Sequence, residues 1–189
     1  MRIGVLALQG AFKEHIDALQ RLKVEALTVR LPEELESLDG LIIPGGESTT
    51  ISRLMVDFRL MQPVRDLAKA GFPILGTCAG MLLLAREVSD FSLETLKLMD
   101  MVVKRNAFGR QVDSFETDLD IPALGGRPFH AVFIRAPIIE KADACVEILA
   151  RLSDGAAVAA RQGKLVAAAF HPELTRDLRF HRYFLDIVK

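Results

Sequence analysis

The first half of the chain repeats one pattern, in which a short and fully apolar run is followed by an amphipathic segment. Residues 3–8, IGVLAL, form an uninterrupted apolar run, as expected for a strand buried on both faces of a parallel sheet. In residues 11–23, apolar side chains recur every three or four positions, the spacing of a helix with one buried face. Further strand-like runs lie at 25–31, 39–46 and 72–77, with helical patterns at 51–58 and 64–70. This alternation predicts right-handed βαβ units in a parallel sheet with helices on both faces.

From about Met99 onwards the pattern changes to short strand-like runs separated by tight turns, which indicates an antiparallel or mixed section. These runs lie at 101–108, 111–121, 130–136, 145–152, 156–162 and 164–170. The last stretch, 175–189, has helical spacing after Thr175, a candidate N-cap. No Pro/Gly/Ser linker divides the chain. We therefore expect a single α/β domain over residues 1–189.

Composition and charge exclude several classes of protein. The 189 residues include 24 Lys and Arg against 25 Asp and Glu, so no basic field exists to attract nucleic acid or an anionic membrane. The longest apolar runs are far shorter than the ~20 residues of a membrane helix. The two cysteines, Cys78 and Cys145, lie in unlike contexts, which argues against a disulfide framework or a zinc site. We therefore expect a soluble, cytoplasmic protein.

The most specific local motif is the strand-to-helix junction at residues 72–85, FPILGTCAGMLLLA. Glycines two positions before and after Cys78 permit a turn so tight that its side chain stands exposed above the sheet, as in a nucleophile elbow. The helix N-terminus favours a thiolate and directs the Ala79 amide toward an oxyanion formed beside the sulfur. Cys78 is therefore a candidate nucleophile for acyl chemistry. The alternative is a small buried residue in an ordinary turn.

A thiol nucleophile needs a base, and His171 has the most suitable context for one. It ends the apolar run VAAAF, so its ring emerges where active sites of parallel sheets are built. Residues two apart in an extended segment point the same way, so Glu173 is expected to accept a hydrogen bond from one imidazole nitrogen. The other nitrogen would then face the thiol.

The remaining histidines and the second cysteine have less specific contexts. His15 and His181 lie on helical patterns with charged neighbours, which is typical of surface residues. His130 begins a strand without a partner motif, and Cys145 lacks the glycine frame of an elbow. We expect ordinary structural roles for all four, with Cys145 in the core.

The segment LIIPGGESTT, at 41–50, is a second candidate for the site because two adjacent glycines bring backbone amides close to a ligand. A donor from this loop, paired with the amide of Ala79, would complete an oxyanion hole. The alternative is a glycine turn in which Ser48 or Thr49 caps the next helix.

Together, GTCAG at 76–80, PGGEST at 44–49 and HPE at 171–173 resemble the class I, triad-type glutamine amidotransferases. More narrowly, IGVLALQGAFKEH, LIIPGGESTT, KRNAFGRQVDSFE and VFIRAP are similar to glutaminase subunits of pyridoxal 5′-phosphate synthases, and the similarity covers essentially the whole chain. This resemblance implies a three-layer fold with a central, mostly parallel sheet, helices on both faces and an antiparallel section in the C-terminal half.

The resemblance also implies specific roles. Cys78 would be the nucleophile, His171 the general base and acid, and Glu173 its orienting carboxylate. The implied glutamine pocket consists of Gly46, Glu47, Ser48, Arg105, Ile134 and Arg135, with Gly46 and Ala79 as the oxyanion hole. Gln9 and Gly10 would border the site. Whether Arg135 acts through its guanidinium or its backbone stays open, and no metal or organic cofactor is implied.

The implied reaction is hydrolysis of L-glutamine to glutamate and ammonia through a cysteine thioester. Free ammonia would be mostly protonated in water, so a partner must use it. The resemblance identifies that partner as a (β/α)8-barrel pyridoxal 5′-phosphate synthase subunit in a large hetero-oligomer. Two alternatives from other classes are another elbow-cysteine hydrolase or acyltransferase of related fold, and a non-catalytic binding subunit.

Overall fold

The computed structural model describes residues 1–105 and 114–189, which form twelve strands and five α-helices. The strands are β1 (Arg2–Leu6), β2 (Glu25–Val29), β3 (Gly40–Ile43), β4 (Ile74–Thr77), β5 (Ala85–Val88), β6 (Met99–Lys104), β7 (Ser114–Leu119), β8 (Phe129–Ile134), β9 (Ile138–Ala142), β10 (Glu147–Arg151), β11 (Ala157–Gln162) and β12 (Leu165–Ala168). The helices are α1 (Phe12–Arg21), α2 (Ser48–Asp57), α3 (Met61–Lys69), α4 (Ala79–Leu84) and α5 (Arg179–Val188). Short 3-10 turns lie at Pro32–Leu35, Pro122–Leu124 and Pro172–Leu174.

Ten of the strands form one large sheet, in the order β2-β1-β3-β4-β12-β11-β9-β6-β5, with β10 paired to β11. The strands from β2 to β12 run parallel, whereas β11 is antiparallel to β12, β9 and β10. Strands β7 and β8 form a separate antiparallel hairpin. The expected α/β fold, with a mostly parallel sheet, surrounding helices and an antiparallel section, is confirmed.

The pairing of β4 with β12 determines where the functional side chains meet. The two strands are parallel, and Thr77 at the end of β4 pairs with Ala168 at the end of β12. Both strands are fully buried, as continuous apolar runs in a parallel sheet require. The segments that follow them, which carry Cys78 and His171, therefore emerge at the same edge of the sheet.

Helices α1 and α5 bury one face each, as their sequence spacing predicts, whereas all six residues of α4 are buried. On α1 the apolar side packs against the sheet with Ala18 and Leu19, while charged residues face outward. On α5, Phe180, Phe184 and Leu185 are buried in the common core. No α-helix in the described ranges is long and apolar enough to cross a membrane.

Two strands and one helix start differ from the sequence prediction. Strands β5 and β9 were not predicted, because each alternates irregularly between exposed and buried positions. Helix α5 begins at Arg179 with Leu178 as its N-cap, so the expected cap by Thr175 is wrong. The Thr175 hydroxyl instead accepts a hydrogen bond from the backbone of Asp177, 3.2 Å away. The predicted runs at 101–108 and 111–121 lie partly outside the described residues.

Candidate active site

Cys78 occupies a strained turn between β4 and α4. Its backbone has φ 48° and ψ −102°, a left-handed conformation that is rare for residues other than glycine. The flanking glycines are required sterically, since a Cβ at Gly80 would overlap the carbonyl oxygen of Ile43 and one at Gly76 would crowd the backbone of Gly80. The nucleophile elbow predicted from the G-x-C-x-G spacing therefore has its structural basis in close backbone packing.

His171 lies beside this elbow and interacts with the Cys78 side chain. Its backbone N–H donates to the Val132 carbonyl at 2.8 Å, which fixes the residue after β12. On the ring, Nδ1 lies 2.7 Å from Oε1 of Glu173. Burial lowers the pKa of His171, but hydrogen bonds with Cys78 and Glu173 outweigh burial and raise it to about 10. The geometry thus favours an imidazolium next to the sulfur.

Glu173 supports the imidazole from a fully buried position. The predicted contact with His171 is present, but the backbone is a 3-10 turn, Pro172–Leu174, rather than the expected extended segment. Burial raises the pKa of Glu173, yet His15 and His171 together outweigh this and hold it below its ordinary value. Its second oxygen, Oε2, lies 3.3 Å from Nε2 of His15.

A cavity of about 270 Å³ opens above Cys78. Nearly all the side chains proposed from the sequence line it: Gln9, Gly46, Glu47, Ser48, Cys78, Ala79, Arg105, Ile134, Arg135 and His171. Leu82 and Pro137, which the sequence did not indicate, also line it. Glu173 lies behind His171 and Gly10 lies under the loop, so neither lines the cavity.

Two hydrogen bonds and close packing hold the glycine loop after β3 in place beside the elbow. Gly45 donates its N–H to the Thr77 hydroxyl at 3.1 Å and accepts from the Ala11 N–H at 2.9 Å. A side chain at Gly45 would overlap the His171 ring. Gly10 has φ 97°, and a Cβ there would overlap the Gly45 carbonyl. Both glycines are therefore needed for close approach of backbone to the site.

Glu47, rather than Ser48 or Thr49, is the N-cap of α2. Its carboxylate accepts hydrogen bonds from the backbone and the hydroxyl groups of Thr49 and Thr50. Burial raises the pKa of Glu47, but these hydrogen bonds outweigh it and lower the pKa to about 2. Its backbone N–H donates to Oε1 of Gln9 at 2.8 Å. Glu47 therefore lies at the cavity wall as a fixed, ionised carboxylate.

The opposite wall carries Arg105, Ile134 and Arg135. The Arg105 guanidinium lies over the Phe91 ring, 4.6 Å from its centroid, and within residues 1–105 and 114–189 its buried Nη1 has no hydrogen-bond partner. The Ile134 carbonyl lies 3.8 Å from the Cys78 sulfur. Arg135 has φ 42°, so its backbone is strained beside the site.

Two expectations about histidines outside the triad are wrong. His15 and His181 were expected at the surface, but both are fully buried. Their rings contact each other, with Nδ1 of His15 3.0 Å from Nε2 of His181. The helical spacing could have indicated that His15 is buried, because His15 lies on the same face of α1 as Leu19. His130 is an exposed strand residue between Glu116 and Asp118.

Cys145 is also placed differently from the prediction. It is exposed rather than in the core, and its sulfur donates to Oδ2 of Asp100 at 3.4 Å. The hydrogen bond to Asp100, followed by desolvation, raises the pKa of Cys145. The neutral thiol of Cys145 is therefore favoured.

A thiol at a strand-to-helix elbow, with a histidine and a buried carboxylate after the neighbouring strand, defines the class of cysteine hydrolases and amidotransferases on α/β folds. Residues 5–189 match the SNO glutamine amidotransferase family. The chain therefore belongs to this glutamine amidotransferase family, as its motifs indicated.

Relatives with high identity match over nearly their full length. The chain is 61% identical over 190 residues to the pyridoxal 5′-phosphate synthase subunit PdxT of Herpetosiphon aurantiacus, covering 99% of this chain and 100% of that protein. It is 60% identical over 188 residues to the subunit of the same name from Moorella thermoacetica, covering 100% of both. A solved structure described as a glutamine amidotransferase has a TM-score of 0.93 at 50% identity, covering 98% of both chains.

Proposed function

We propose that this chain is the glutaminase subunit of a pyridoxal 5′-phosphate synthase. It hydrolyses L-glutamine to L-glutamate and ammonia, and it passes the ammonia to a synthase subunit for vitamin B6 biosynthesis. The observation that carries the proposal is the linked arrangement of Cys78, His171 and Glu173, in which Cys78 and His171 line one cavity and Glu173 lies behind His171. The similarity to synthase subunits over the whole chain supports the choice of pathway.

In the first half of the reaction, the Cys78 thiolate attacks the side-chain amide carbon of glutamine. The carbonyl π electrons move to oxygen, and the resulting oxyanion accepts hydrogen bonds from the backbone amides of Ala79 and Gly46. His171, protonated before the attack, donates its proton to the amide nitrogen as the C–N bond breaks. Ammonia leaves, and a γ-glutamyl thioester remains on Cys78.

In the second half, water hydrolyses the thioester. His171, now neutral, removes a proton from the water as its oxygen attacks the same carbon. The C–S bond breaks, glutamate is released, and the thiolate and imidazolium are restored. Glu173 stabilises the positive charge on His171 in both steps through the 2.7 Å hydrogen bond to Nδ1.

The walls of the cavity supply the groups that hold the amino-acid end of glutamine. The unpartnered Nη1 of Arg105 is suited to the α-carboxylate, because a buried guanidinium nitrogen requires an acceptor. Glu47 supplies negative charge for the α-ammonium group. Ser48, Ile134 and Arg135 form the remaining contacts, and the strained backbone of Arg135 favours a contact through its main chain.

We further infer the setting in which the subunit acts. One glutaminase domain spans 1–189, since β11 and β12 of the C-terminal half complete the sheet begun by β1. The partner is a (β/α)8-barrel synthase subunit, and the two assemble into a large hetero-oligomer that keeps ammonia away from solvent. Two free cysteines, one of them exposed, fit the reducing cytoplasm.

Glutamate and ammonia release from glutamine tests the proposal, measured with the full chain in the presence of the synthase subunit. We expect Cys78→Ala to lower kcat by at least roughly 10³-fold, and Cys145→Ala, the matched control, to retain activity. Loss of activity in Cys145→Ala alone would contradict the assignment of the nucleophile. Turnover of esters or thioesters without turnover of glutamine would instead favour the related hydrolase.

A further inference from the structure

Behind the triad, a connected set of polar side chains extends into the core. His15 lies at its centre: Nε2 is 3.3 Å from Oε2 of Glu173 and 3.1 Å from the Thr77 hydroxyl, and Nδ1 is 3.0 Å from Nε2 of His181. The side chains of these four residues are buried within an otherwise apolar region. A polar group in such a position requires its hydrogen bonds, since water cannot replace them.

The surroundings determine which nitrogen of His15 carries the hydrogen. Nε2 of His15 is hydrogen-bonded to the Thr77 hydroxyl and lies 3.3 Å from an ionised carboxylate, which repels a lone pair, so the surroundings favour the hydrogen on Nε2. Nδ1 then accepts from the Nε2–H of His181. Burial lowers the pKa of His15 and lowers the pKa of His181 to about 3, so both rings are neutral near pH 7. His15 therefore directs its N–H to the Thr77 hydroxyl at 3.1 Å, and Oε2 of Glu173 lies 3.3 Å from the same nitrogen without a hydrogen bond to it.

Thr77 connects the same histidine to the glycine loop. The Thr77 hydroxyl oxygen, which lies beside Nε2 of His15, also accepts the N–H of Gly45 at 3.1 Å. Gly45 packs against the His171 ring and against Cys78, so displacement of the loop would displace both. One buried imidazole thus contacts the triad carboxylate on one side and, through Thr77, the wall of the site on the other.

We propose that His15 is a positioning residue of the glutaminase, an inference that rests on the proposed function. It holds Glu173 in the orientation that receives the Nδ1–H of His171. Through Thr77, it also holds the Gly45 loop beside Cys78. Neither His15 nor Thr77 lines the cavity, so the effect of His15 reaches the reaction through other side chains.

This geometry predicts which kinetic constant, kcat or KM, changes when His15 is removed. Within the described ranges Oε2 of Glu173 has no hydrogen-bond partner, and the His15 ring nitrogen 3.3 Å away is a polar contact of this buried oxygen. Without that ring the carboxylate is stabilised less and supports the imidazolium less well. The charge on His171 matters during attack and departure of ammonia, whereas no residue that lines the cavity is changed and Thr77 keeps its hydrogen bond with the Gly45 N–H. We expect kcat to fall and KM to stay nearly constant.

The pH dependence follows from the same contacts. The titratable groups that face His15 are Glu173, His171 and His181, together with Glu14 on its own helix. Of these, His171 also faces Cys78. The pKa of His181 is also affected by the charge of Arg21. Loss of the His15 N–H weakens Glu173 as a partner of the imidazolium, so His171 gives up its proton at lower pH. The alkaline limb of kcat/KM should therefore move down by about one pH unit.

The test compares three variants of the full chain with its synthase subunit. His15→Leu keeps the volume and removes the donor, and we expect kcat about tenfold lower, KM within twofold and the alkaline limb shifted. His15→Gln restores a donor and should recover part of the activity. Phe184→Leu, at the opposite end of the sheet near Gly40, is the control for lost packing and should keep the wild-type kcat and pH limb.

A kcat and pH profile of His15→Leu indistinguishable from those of Phe184→Leu would overturn the proposal. Should His15→Leu not fold, Thr77→Val provides the decisive variant. It removes the acceptor of the Gly45 N–H and leaves His15 and Glu173 in place, so kcat should fall while the alkaline limb stays unchanged. Normal kcat in Thr77→Val would then overturn the proposal.

A second measurement separates this inference from the proposed function, because it needs no glutamine. In a Cys145→Ser background, the rate of Cys78 alkylation by iodoacetamide reports the thiolate paired with His171. We expect the rate at pH 7 to fall about tenfold in His15→Leu and to be partly restored in His15→Gln. An unchanged rate would overturn the positioning role. A wild-type chain that alkylates rapidly but does not hydrolyse glutamine would instead refute the function.

Discussion

The charge on His171 is the residue-level property on which the proposed chemistry depends. An isolated histidine with an ordinary pKa of about 6.5 would be mostly neutral at pH 7. Here the sulfur of Cys78 and the carboxylate of Glu173 outweigh the effect of burial and raise the pKa to about 10. The proton needed by departing ammonia is therefore already on the ring when glutamine arrives.

Substitutions in the triad should follow this division of roles. We expect His171→Asn to lower kcat roughly 10⁴-fold, because no group remains to transfer protons. Glu173→Gln should cost roughly 100-fold, since an amide can still accept from Nδ1–H but does not stabilise the positive charge. Steady-state glutamine hydrolysis measures both values. Equal losses would mean that Glu173 does more than hold and stabilise the imidazole.

Buried neutral histidines also make the stability depend on pH. The pKa of His181 falls to about 3, mainly through burial, against about 6.5 in the unfolded chain. Between these values the unfolded state binds more protons, so the free energy of unfolding decreases as pH falls through this window. We expect the free energy of unfolding, measured with urea, to fall less between pH 6.5 and pH 3.5 in His181→Phe than it does in the wild-type protein.

His130→Gln is the matched control for that measurement. His130 is exposed, and its hydrogen bonds to the carboxylates of Glu116 and Asp118 raise its pKa, so any stability it contributes is present at acid pH and is lost as pH rises through its raised pKa. Removal of His130 should therefore not reduce the fall in the free energy of unfolding at acid pH. An acid limb in His181→Phe as steep as that of wild type would contradict the assignment of a neutral buried imidazole.

Among the elements, the junction of β4 and α4 was the most predictable from the sequence. Its glycines, its apolar strand and its apolar helix are all local signals, and backbone packing in the structure explains each of them. Strands β5 and β9 were missed because they lack alternating burial. The predicted N-cap at Thr175 is wrong because the Thr175 hydroxyl accepts a hydrogen bond from the backbone of Asp177, which lies before the first residue of α5, Arg179.

The close packing at this junction gives a prediction for one glycine. A Cβ at Gly80 would overlap the Ile43 carbonyl, which belongs to the adjacent strand β3 and cannot rotate away. We expect Gly80→Ala to destabilise the fold by roughly 1–3 kcal/mol and to displace Cys78. Gly126→Ala is the control, because open space surrounds that position. Thermal unfolding and kcat are the readouts, and equal stability of the two variants would contradict the packing argument.

In the whole molecule, the order of the strands brings the site together. His171 follows β12, which is the last strand in sequence and lies next to β4, the strand that precedes Cys78. Strand patterns alone do not specify which strands are neighbours, so the sequence predicted His171 beside the thiol at the end of a buried strand but did not predict this strand order. The role of His15 was missed because its sequence neighbours are charged, while its burial depends on contacts with distant residues.

The central claim is that this chain supplies the nitrogen of pyridoxal 5′-phosphate from glutamine through Cys78. Its most direct test is synthesis by the mixed complex from glutamine labelled with ¹⁵N in the side-chain amide, together with unlabelled ammonium salt. We expect the wild-type complex to place ¹⁵N in the product and the Cys78→Ala complex to make only unlabelled product from ammonium. Labelled product from Cys78→Ala, or unlabelled product from wild type with ammonium limiting, would contradict the account.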